Sequence, residues 1–224
     1  MIKTTDGYQT LFSSEYRQSY HSKHGARSEC VHIYLQASGV ARRLQNGLST
    51  TVLEVGFGTG LNFLVTSAMA RKTGTPLRYV GLEKNWLPSN VFEELDYAAH
   101  LPEIQDICQA ISLAKLPSVS ENELNFHFTP AIELTVIFSD ATKMKIPSLG
   151  YDAVYHDAFS PDANPELWTP DFFHKIRKTC ESGAVLSTYS SKITVQQALR
   201  EAGFVVEKVP GPWGKRDILR ARAE

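Results

Sequence analysis

Three glycines at alternate positions form the strongest chemical signal in the sequence. Gly56, Gly58 and Gly60 lie in the segment LEVGFGTGLN, residues 53–62, directly after a short apolar run. Glycines at a strand-to-helix turn let the backbone approach a ligand closely. The spacing is G-x-G-x-G, whereas the fingerprint that binds the pyrophosphate of a dinucleotide is G-x-G-x-x-G. The loop therefore predicts a site for a ligand other than a dinucleotide.

An acidic residue stands inside the predicted strand, two positions before the first glycine. The carboxylate of Glu54 would repel a pyrophosphate and favour a cationic ligand. S-adenosylmethionine carries a sulfonium and an ammonium group, so Glu54 fits this methyl donor better than a nicotinamide dinucleotide. The alternative is a simple tight turn without a ligand.

Acidic residues also end two further predicted strands. Glu83 ends the second strand, where doubly wound folds place an acid on the hydroxyl pair of a ribose. Asp140 follows the third parallel strand, where a carboxylate could hold the amino group of adenine. Together with Glu54 they describe a nucleoside pocket. The residues expected to contact the donor are Tyr20, Glu54, Gly56, Phe57, Gly58, Gly60, Asn62, Glu83, Lys84, Asp140, Ala141 and Asp157.

A second distinctive segment, HDAFSPDANPELW at residues 156–168, directly follows another predicted strand. It therefore lies at the carboxyl edge of the sheet, where open α/β folds bind ligands. Asp157 could accept a proton or a hydrogen bond from a nucleophilic amine beside the methyl donor, and it is the predicted catalytic residue. In the alternative interpretation Asp157 caps the next turn and Trp168 only packs.

The elements that must position these residues follow from hydrophobic periodicity. Strands that alternate with helices predict a Rossmann-like α/β fold, with a mostly parallel sheet covered on both faces and a C-terminal antiparallel hairpin. Residues 30–35 are typical of either a short strand or a helix. The predicted strands are 51–55, 77–82, 122–128, 132–138, 151–156, 184–189, 204–209 and 217–222, and the predicted helices are 61–72, most of 88–116, 171–180 and 194–202.

The composition limits the class of protein. The chain has 224 residues, of which 42% are hydrophobic and 21% are charged, as in an ordinary globular protein. No apolar stretch is long enough to span a membrane, and the first residues contain no secretory h-region. Three cysteines without metal-type spacing favour a reduced, cytoplasmic protein. The seven histidines form no compact ligand set, so no metal is expected, and neither a G-x-S-x-G motif nor a P-loop is present.

Charge is unevenly distributed along the chain. Residues 90–140 contain nine acids and one base, whereas residues 174–224 contain ten bases and five acids. Such a separation could present a basic face to a polyanion. The alternative is two ordinary solvated surfaces.

These motifs together resemble a known family, the methyltransferase domain of MnmC proteins and the stand-alone MnmD enzymes. Members methylate 5-aminomethyl-(2-thio)uridine at the wobble position of tRNA. The D-x-F-x-P-x-x-N-P-x-L-W pattern of residues 157–168 is specific to this family, unlike the glycine loop. The other similar segments are residues 11–22, 56–63, 82–84, 138–140, 202–204 and 214–219.

The resemblance implies a class I methyltransferase with the donor against Gly56, Gly58, Gly60, Glu83 and Asp140. It also implies that Asp157 lies near the transferred methyl group and that residues 161–168 shape the pocket of the nucleobase. The residues expected to bind substrate are Phe159, Pro161, Asn164, Pro165, Trp168, Lys215 and Arg216.

The sequence and the resemblance together predict a domain division and a set of partners. We expect an N-terminal arm and cap at residues 1–45 and a methyltransferase domain at 46–224, with a helical and hairpin insertion at about 88–133. MnmC fusions carry a flavin-dependent oxidase domain that this sequence is too short to contain, so we expect the stand-alone form without flavin. A monomer or a weak homo-oligomer is expected. Candidates for phosphate contacts are Arg17, Lys23, Lys192, Lys215 and Arg216.

The predicted reaction is N-methylation of the aminomethyl group, with S-adenosylmethionine as the donor and tRNA as the partner. One alternative is a methyltransferase that acts on a small molecule or a protein. The other is a binding module with a relic donor pocket, against which the intact glycine loop, Glu83 and Asp157 argue.

Overall fold

The computed structural model describes residues 1–115, 122–129, 131–212 and 217–224. The strands are β1 (Ile2–Lys3), β2 (Gln9–Thr10), β3 (Phe12–Ser13), β4 (Gln18–Ser19), β5 (Thr50–Val55), β6 (Leu77–Glu83), β7 (Glu123–Phe128), β8 (Ile132–Phe138), β9 (Tyr151–His156), β10 (Cys180–Thr188), β11 (Phe204–Pro210) and β12 (Asp217–Ala223). The α-helices are α1 (Ala26–Glu29), α2 (Val40–Gln45), α3 (Leu61–Thr73), α4 (Ser89–Leu95), α5 (Tyr97–His100), α6 (Gln105–Ser112), α7 (Pro170–Arg177) and α8 (Ile193–Glu201). A π-helix spans Cys30–Gln36, and short 3₁₀-helices span Pro102–Ile104 and Pro165–Trp168.

The main sheet has eight strands in the order β11-β12-β10-β9-β5-β6-β8-β7. Strands β8, β6, β5, β9 and β10 are parallel. Strand β7 pairs antiparallel at one edge, and β12 lies antiparallel between β10 and β11 at the other. The prediction of a mostly parallel sheet with a C-terminal antiparallel hairpin is confirmed.

The order of the strands places a crevice beside the central strand. From β5 the chain proceeds through β6 to β8 on one side, and then returns to β9 and β10 on the other side. Ligands of open α/β sheets bind at such a switch point, outside the carboxyl ends of the strands. Here Val55 pairs with both Leu82 and His156, so Gly56 and Asp157 begin their loops side by side.

Two hydrophobic cores cover the two faces of the sheet. On one face the π-helix and α3 pack against the strands through fully buried aromatic side chains, among them Tyr34, Phe63 and Tyr79. On the other face α7 and α8 pack through Phe173 and Leu199. Burial of each such side chain stabilises the fold by about 1.5–3 kcal/mol. The two cores fix both faces of the sheet, so its carboxyl edge is a rigid base for loops.

The N-terminal residues form two short antiparallel ribbons, β1 with β2 and β3 with β4, followed by helices. Of the two predictions for residues 30–35, the helical one is confirmed. Cys30, Ile33 and Tyr34 are buried at helical spacing, which a strand could not place on one face. The division of the chain at residue 45 stays a prediction.

Two predicted boundaries within residues 171–189 differ from the structure by three residues or more. The helix predicted at 171–180 ends at Arg177, and strand β10 begins at Cys180, where residue 184 was expected. The pairing register of β10 with β9 shifts between Cys180 and Val185, and Gly183 has a φ of +82°. This irregular start of β10 therefore lacks the alternation of buried and exposed side chains that predicts a strand. The predicted helical region from residue 88 is broken at Asp96, where φ is +46°.

None of the described helices is both long and apolar enough to cross a membrane.

Candidate active site

A cavity of about 510 Å³ opens at the carboxyl edge of the sheet. Its volume lies within the usual range for small-molecule sites. The ends of β5, β6, β8 and β9 form one side, and the N-terminal residues 13–22 form the other. Of the residues predicted to bind donor or substrate, those that line it are Tyr20, Gly56, Phe57, Gly58, Asn62, Glu83, Lys84, Asp140, Ala141, Asp157, Phe159 and Asn164.

Five predicted site residues do not line the cavity: Glu54, Gly60, Pro161, Pro165 and Trp168. Gly60 precedes α3 with a φ of +75°, and Pro165 begins a 3₁₀-helix. Lys215 and Arg216 lie outside the described residues.

Glu54 lies behind the cavity wall and not on its surface. Its side chain is 1% exposed and accepts hydrogen bonds from Asn62 Nδ2 at 2.7 Å and from the Tyr79 hydroxyl at 2.8 Å. Successive side chains of a strand point to opposite faces, and that of Glu54 points to the face covered by α3. Burial, together with the charge of Asp157, raises the pKa of Glu54 well above its usual value. The expected direct contact between Glu54 and a cationic donor is therefore not available in this arrangement.

Two glycines of the loop permit close approaches that no other residue could make. A Cβ atom at Gly56 would lie 2.8 Å from the Asp157 carbonyl oxygen, and φ there is +88°. At Gly58, where φ is +54°, a Cβ atom would lie 3.1 Å from the Tyr20 ring. The sequence pattern missed Gly81 on β6, where a Cβ atom would overlap the ring of Phe57. Gly56 and Gly81 thus let the loop lie against the start of the loop after β9 and against β6, whereas Gly58 lets it lie against Tyr20.

Glu83 connects the glycine loop to the end of β6. Its Oε2 accepts a hydrogen bond from the Gly58 amide at 2.8 Å, and its Oε1 accepts from the amides of Lys84 and Asn85 at 2.8 and 2.9 Å. Burial raises the pKa of Glu83, and the three amide hydrogen bonds oppose that shift. The carboxylate is held at the position that the sequence predicted for a ribose contact.

Asp140 lies at the end of β8 as a fixed negative charge. The Thr142 hydroxyl and amide donate to its Oδ1 at 2.6 and 3.0 Å, and Lys143 Nζ lies 3.1 Å from its Oδ2. These hydrogen bonds, that of the Thr142 hydroxyl first, lower the pKa of Asp140 to about 2. Asp140 is therefore ionised at neutral pH.

The carboxylate of Asp157 is held by two donors from distant parts of the chain. The Tyr34 hydroxyl donates to Oδ1 at 2.5 Å, and Asn62 Nδ2 donates to Oδ2 at 2.8 Å. The Asp157 amide donates to the Val55 carbonyl oxygen at 2.9 Å. Local sequence patterns do not identify Tyr34, because its role depends on a contact with a residue 123 positions further along the chain.

The segment after Asp157 is a packed loop. Trp168 is buried, and its Nε1 donates to the Phe159 carbonyl oxygen at 2.8 Å. The ring of His156 lies edge-on to Trp168 at 4.4 Å. Burial lowers the pKa of His156 to about 3, so this histidine is neutral and belongs to the core. Trp168 thus supports the loop from behind.

The N-terminal residues contact this loop across the cavity. The ring of Tyr16 stacks on Phe159 at 4.3 Å, and Tyr20 meets Phe159 edge-on at 5.2 Å. Gln18 Nε2 donates to Ser160 Oγ at 2.5 Å, and the Ser160 amide donates to Gln18 Oε1 at 3.1 Å. This region supplies eight lining residues that the sequence did not predict: Ser13, Glu15, Tyr16, Gln18, Ser19, His21, Ser22 and Glu29.

The cavity is strongly acidic. Among the residues that the structure describes, its charged lining consists of six carboxylates and one lysine, Lys84, besides His21. A cleft lined by one sign of charge concentrates ligands of the opposite sign. The site therefore suits cationic groups. The carboxylates are Glu15, Glu29, Glu83, Asp140, Asp157 and Glu166. Within the described ranges, no cluster of three or more His, Cys, Asp or Glu side chains could hold a metal ion.

Two curated proteins with similar sequences are long bifunctional proteins. The chain is 36% identical over 217 residues to the tRNA 5-methylaminomethyl-2-thiouridine biosynthesis bifunctional protein MnmC of Ralstonia nicotianae, an alignment that covers 95% of this chain and 33% of that protein. The MnmC protein of Burkholderia multivorans is 36% identical over 219 residues, with 94% and 33% covered. The chain thus spans about a third of the length of these relatives.

A crystal structure and a family model agree with this similarity. MnmC2 from Aquifex aeolicus superposes with a TM-score of 0.79 at 26% identity, over 99% of this chain and 69% of that one. The predicted resemblance to MnmC-type methyltransferase domains is confirmed. Residues 102–224, more than half of the chain, match the model of a family described as S-adenosyl-L-methionine-dependent methyltransferase. The chain belongs to this family of S-adenosyl-L-methionine-dependent methyltransferases.

Proposed function

We propose that this protein transfers a methyl group from S-adenosylmethionine to the primary amine of 5-aminomethyl-(2-thio)uridine at the wobble position of tRNA. The names of the MnmC relatives supply the substrate class. One observation carries the chemistry. Asp157, an oriented carboxylate, lies in an acidic cavity directly beside the glycine loop.

The side of the cavity formed by the sheet fits the donor. Gly58 lines the cavity without a side chain, so its backbone can approach a ligand closely. Glu83 and Asp140 end neighbouring parallel strands and would hold the ribose hydroxyls and the adenine amino group. The acidic lining favours the sulfonium and ammonium charges. When bound, S-adenosylmethionine supplies an electrophilic methyl group on sulfur and is left as a neutral thioether.

Asp157 would prepare the amine for attack. An alkylamine is protonated at neutral pH, so it must lose one proton to expose the lone pair that forms the new C–N bond. Asp157 would orient the ammonium group and accept that proton, directly or through water. Because Tyr34 and Asn62 hold its two oxygens, the carboxylate is already oriented before substrate binds.

The RNA backbone must lie outside the acidic cavity, because phosphates and carboxylates repel each other. Of the five cations predicted for phosphate contacts, three lie within the described residues, and all three are exposed: Arg17, Lys23 and Lys192. Lys192 reaches the 157–168 loop through an ion pair with Asp162 at 2.5 Å. We propose that the target nucleobase enters the cavity while the neighbouring phosphates lie along these cations.

Methyl incorporation into tRNA tests this function. Labelled S-adenosylmethionine is incubated with the protein and tRNA that carries the aminomethyl group, and the nucleosides are then separated after digestion. The expected product is the methylaminomethyl nucleoside. The same tRNA without the aminomethyl group is the matched control and should remain unlabelled. Donor binding without any labelling of tRNA would contradict the proposal and favour a small-molecule or protein substrate.

A further inference from the structure

We propose that Tyr34 is a positioning residue for the methyl transfer, which acts together with Asn62 by fixing the plane of the Asp157 carboxylate. This inference rests on the proposed function, because it assigns a role within that reaction. Tyr34 does not line the cavity, and its contact with Asp157 carries the inference.

The geometry leaves the carboxylate little freedom to rotate. Each oxygen of Asp157 accepts a hydrogen bond from a different element, Oδ1 from Tyr34 on the π-helix and Oδ2 from Asn62 on α3. The backbone is also fixed, since the Asp157 amide donates to Val55 and the Asp157 carbonyl lies against Gly56. A general base must lie within hydrogen-bond reach of its proton in the correct orientation, and two donors on opposite oxygens enforce one orientation.

Tyr34 is suited to remain a donor. The side chain is 1% exposed, and burial together with the charge of Asp157 raises the pKa of its phenol well above the usual value. The hydroxyl therefore keeps its proton at neutral pH. Asn62 Nδ2 donates both to Asp157 and to the buried Glu54, so its orientation is fixed from both sides.

The backbone that carries Tyr34 is unusual. Residues Cys30–Gln36 form a π-helix, in which the Ala37 amide donates to the His32 carbonyl oxygen, five residues earlier, at 3.1 Å. Such turns are rare and frequently occur at functional sites, because the wider turn changes the direction of its side chains. The Ser38 hydroxyl donates to the Tyr34 carbonyl oxygen at 2.5 Å and secures the end of this segment. The π-helix thus places the Tyr34 hydroxyl within hydrogen-bond distance of the Asp157 carboxylate.

Tyr34→Phe tests the proposal with two matched controls. We expect the single-turnover rate of tRNA methylation to fall by about 10- to 100-fold, as for a lost hydrogen bond to a charged group, with the dissociation constant of the donor within about twofold. Tyr151→Phe removes a buried hydroxyl that has no hydrogen-bond partner among the described residues, and should not change the rate. Tyr79→Phe removes a hydrogen bond to Glu54 and not to Asp157, and should have a smaller effect than Tyr34→Phe.

A double-mutant cycle with Asp157→Asn separates positioning from general destabilisation. If Tyr34 acts through Asp157, Tyr34→Phe should change the rate by less than about twofold when Asp157 is already Asn. Additive losses would overturn the proposal, as would a single variant with the wild-type rate. If Tyr34→Phe lowers the unfolding midpoint, Asn62→Ser tests the same coupling through the second oxygen. An inactive wild-type protein would instead contradict the proposed function, so the two failures are distinguishable.

Discussion

The two sides of the cavity are built in different ways. The sheet wall consists of Gly56, Gly58, Glu83, Asp140 and Asp157 at the ends of parallel strands. The arm wall consists of residues 13–22, which touch the loop after β9 through two aromatic contacts with Phe159 and one pair of hydrogen bonds with Ser160. Hydrogen bonds between neighbouring strands hold the sheet wall in place, and the two hydrophobic cores cover the faces of that sheet. The arm wall depends on a few side chains, so it should open at a lower free-energy cost than the sheet wall.

Because of this difference, we expect one wall to bind the donor and the other to admit the tRNA. A rigid wall suits the donor, whose reactive group must be held in one place. A wall held by a few contacts suits the entry of a large substrate, because it can separate without unfolding the core. Variants of the sheet wall should therefore impair donor binding or chemistry, whereas variants of the arm wall should affect mainly the handling of tRNA.

Asp157→Asn should have the largest effect. It retains the size of the side chain and one oxygen but removes the negative charge and the ability to accept a proton. We expect the single-turnover rate to fall by about two to four orders of magnitude, as for general acid–base groups, with little change in donor binding. Asp162→Asn, an exposed position in the same loop, is the matched control and should retain the rate. A near-wild-type rate for Asp157→Asn would assign Asp157 to a structural role in the turn.

Gly58→Val should abolish most donor binding. The new side chain meets the ring of Tyr20, and the residue must adopt a φ that valine avoids. Together these effects cost about 3–4 kcal/mol, which corresponds to a dissociation constant roughly 140- to 700-fold higher. Gly74→Val is the control, because Gly74 also has a positive φ of +68° but no neighbour within 4 Å of a Cβ atom. Calorimetry should show wild-type donor affinity for Gly74→Val. Equal losses in both variants would mean that backbone strain, and not the cavity, causes the effect.

Glu83→Ala should weaken donor binding by about 1–3 kcal/mol, the cost of leaving hydrogen-bond partners unsatisfied. Since burial raises the pKa of Glu83, protonation should begin at a higher pH than for an ordinary glutamate. Donor affinity in the wild type should therefore fall as the solution is acidified, and Glu83→Gln should reduce that dependence. Glu133→Ala, which removes an exposed carboxylate on β8, is the control and should bind the donor normally. If the pH dependence of donor affinity is unchanged in Glu83→Gln, Glu83 does not contact the donor.

Gln18→Ala should have the smallest effect and the most selective one. The loss of two hydrogen bonds to Ser160 should raise the KM for tRNA a few-fold, about 0.5–1.5 kcal/mol, while donor affinity stays constant. Gln9→Ala is matched to it, because Gln9 donates to the Glu94 carbonyl oxygen from the same N-terminal region but does not line the cavity. A weaker donor complex in Gln18→Ala would show that the two walls act as one unit.

The sheet wall could be predicted from the sequence because its residues follow local patterns. Glycines at a strand-to-helix turn and acids at strand ends are recognisable within a few residues. The carboxyl ends of parallel strands meet at one edge, and this brings Gly58, Glu83 and Asp140 to the same cavity without further information. Local patterns do not determine whether the Glu54 side chain faces the cavity. The pattern gave its place in β5, but only the packing of α3 against the sheet decided that it lies behind the wall.

The N-terminal contribution was decided by the tertiary structure. Residues 13–22 have weak periodicity, and their partners Phe159 and Ser160 are more than 130 residues further along the chain. The hydrogen bond between Tyr34 and Asp157 joins residues 123 positions apart and depends on a π-helical turn that sequence spacing does not reveal. Short-range patterns thus determined the α/β fold, the glycine loop and the identity of the strand-end acids. Contacts between distant segments determined which side chains face the cavity, because these depend on how elements pack once the sheet has formed.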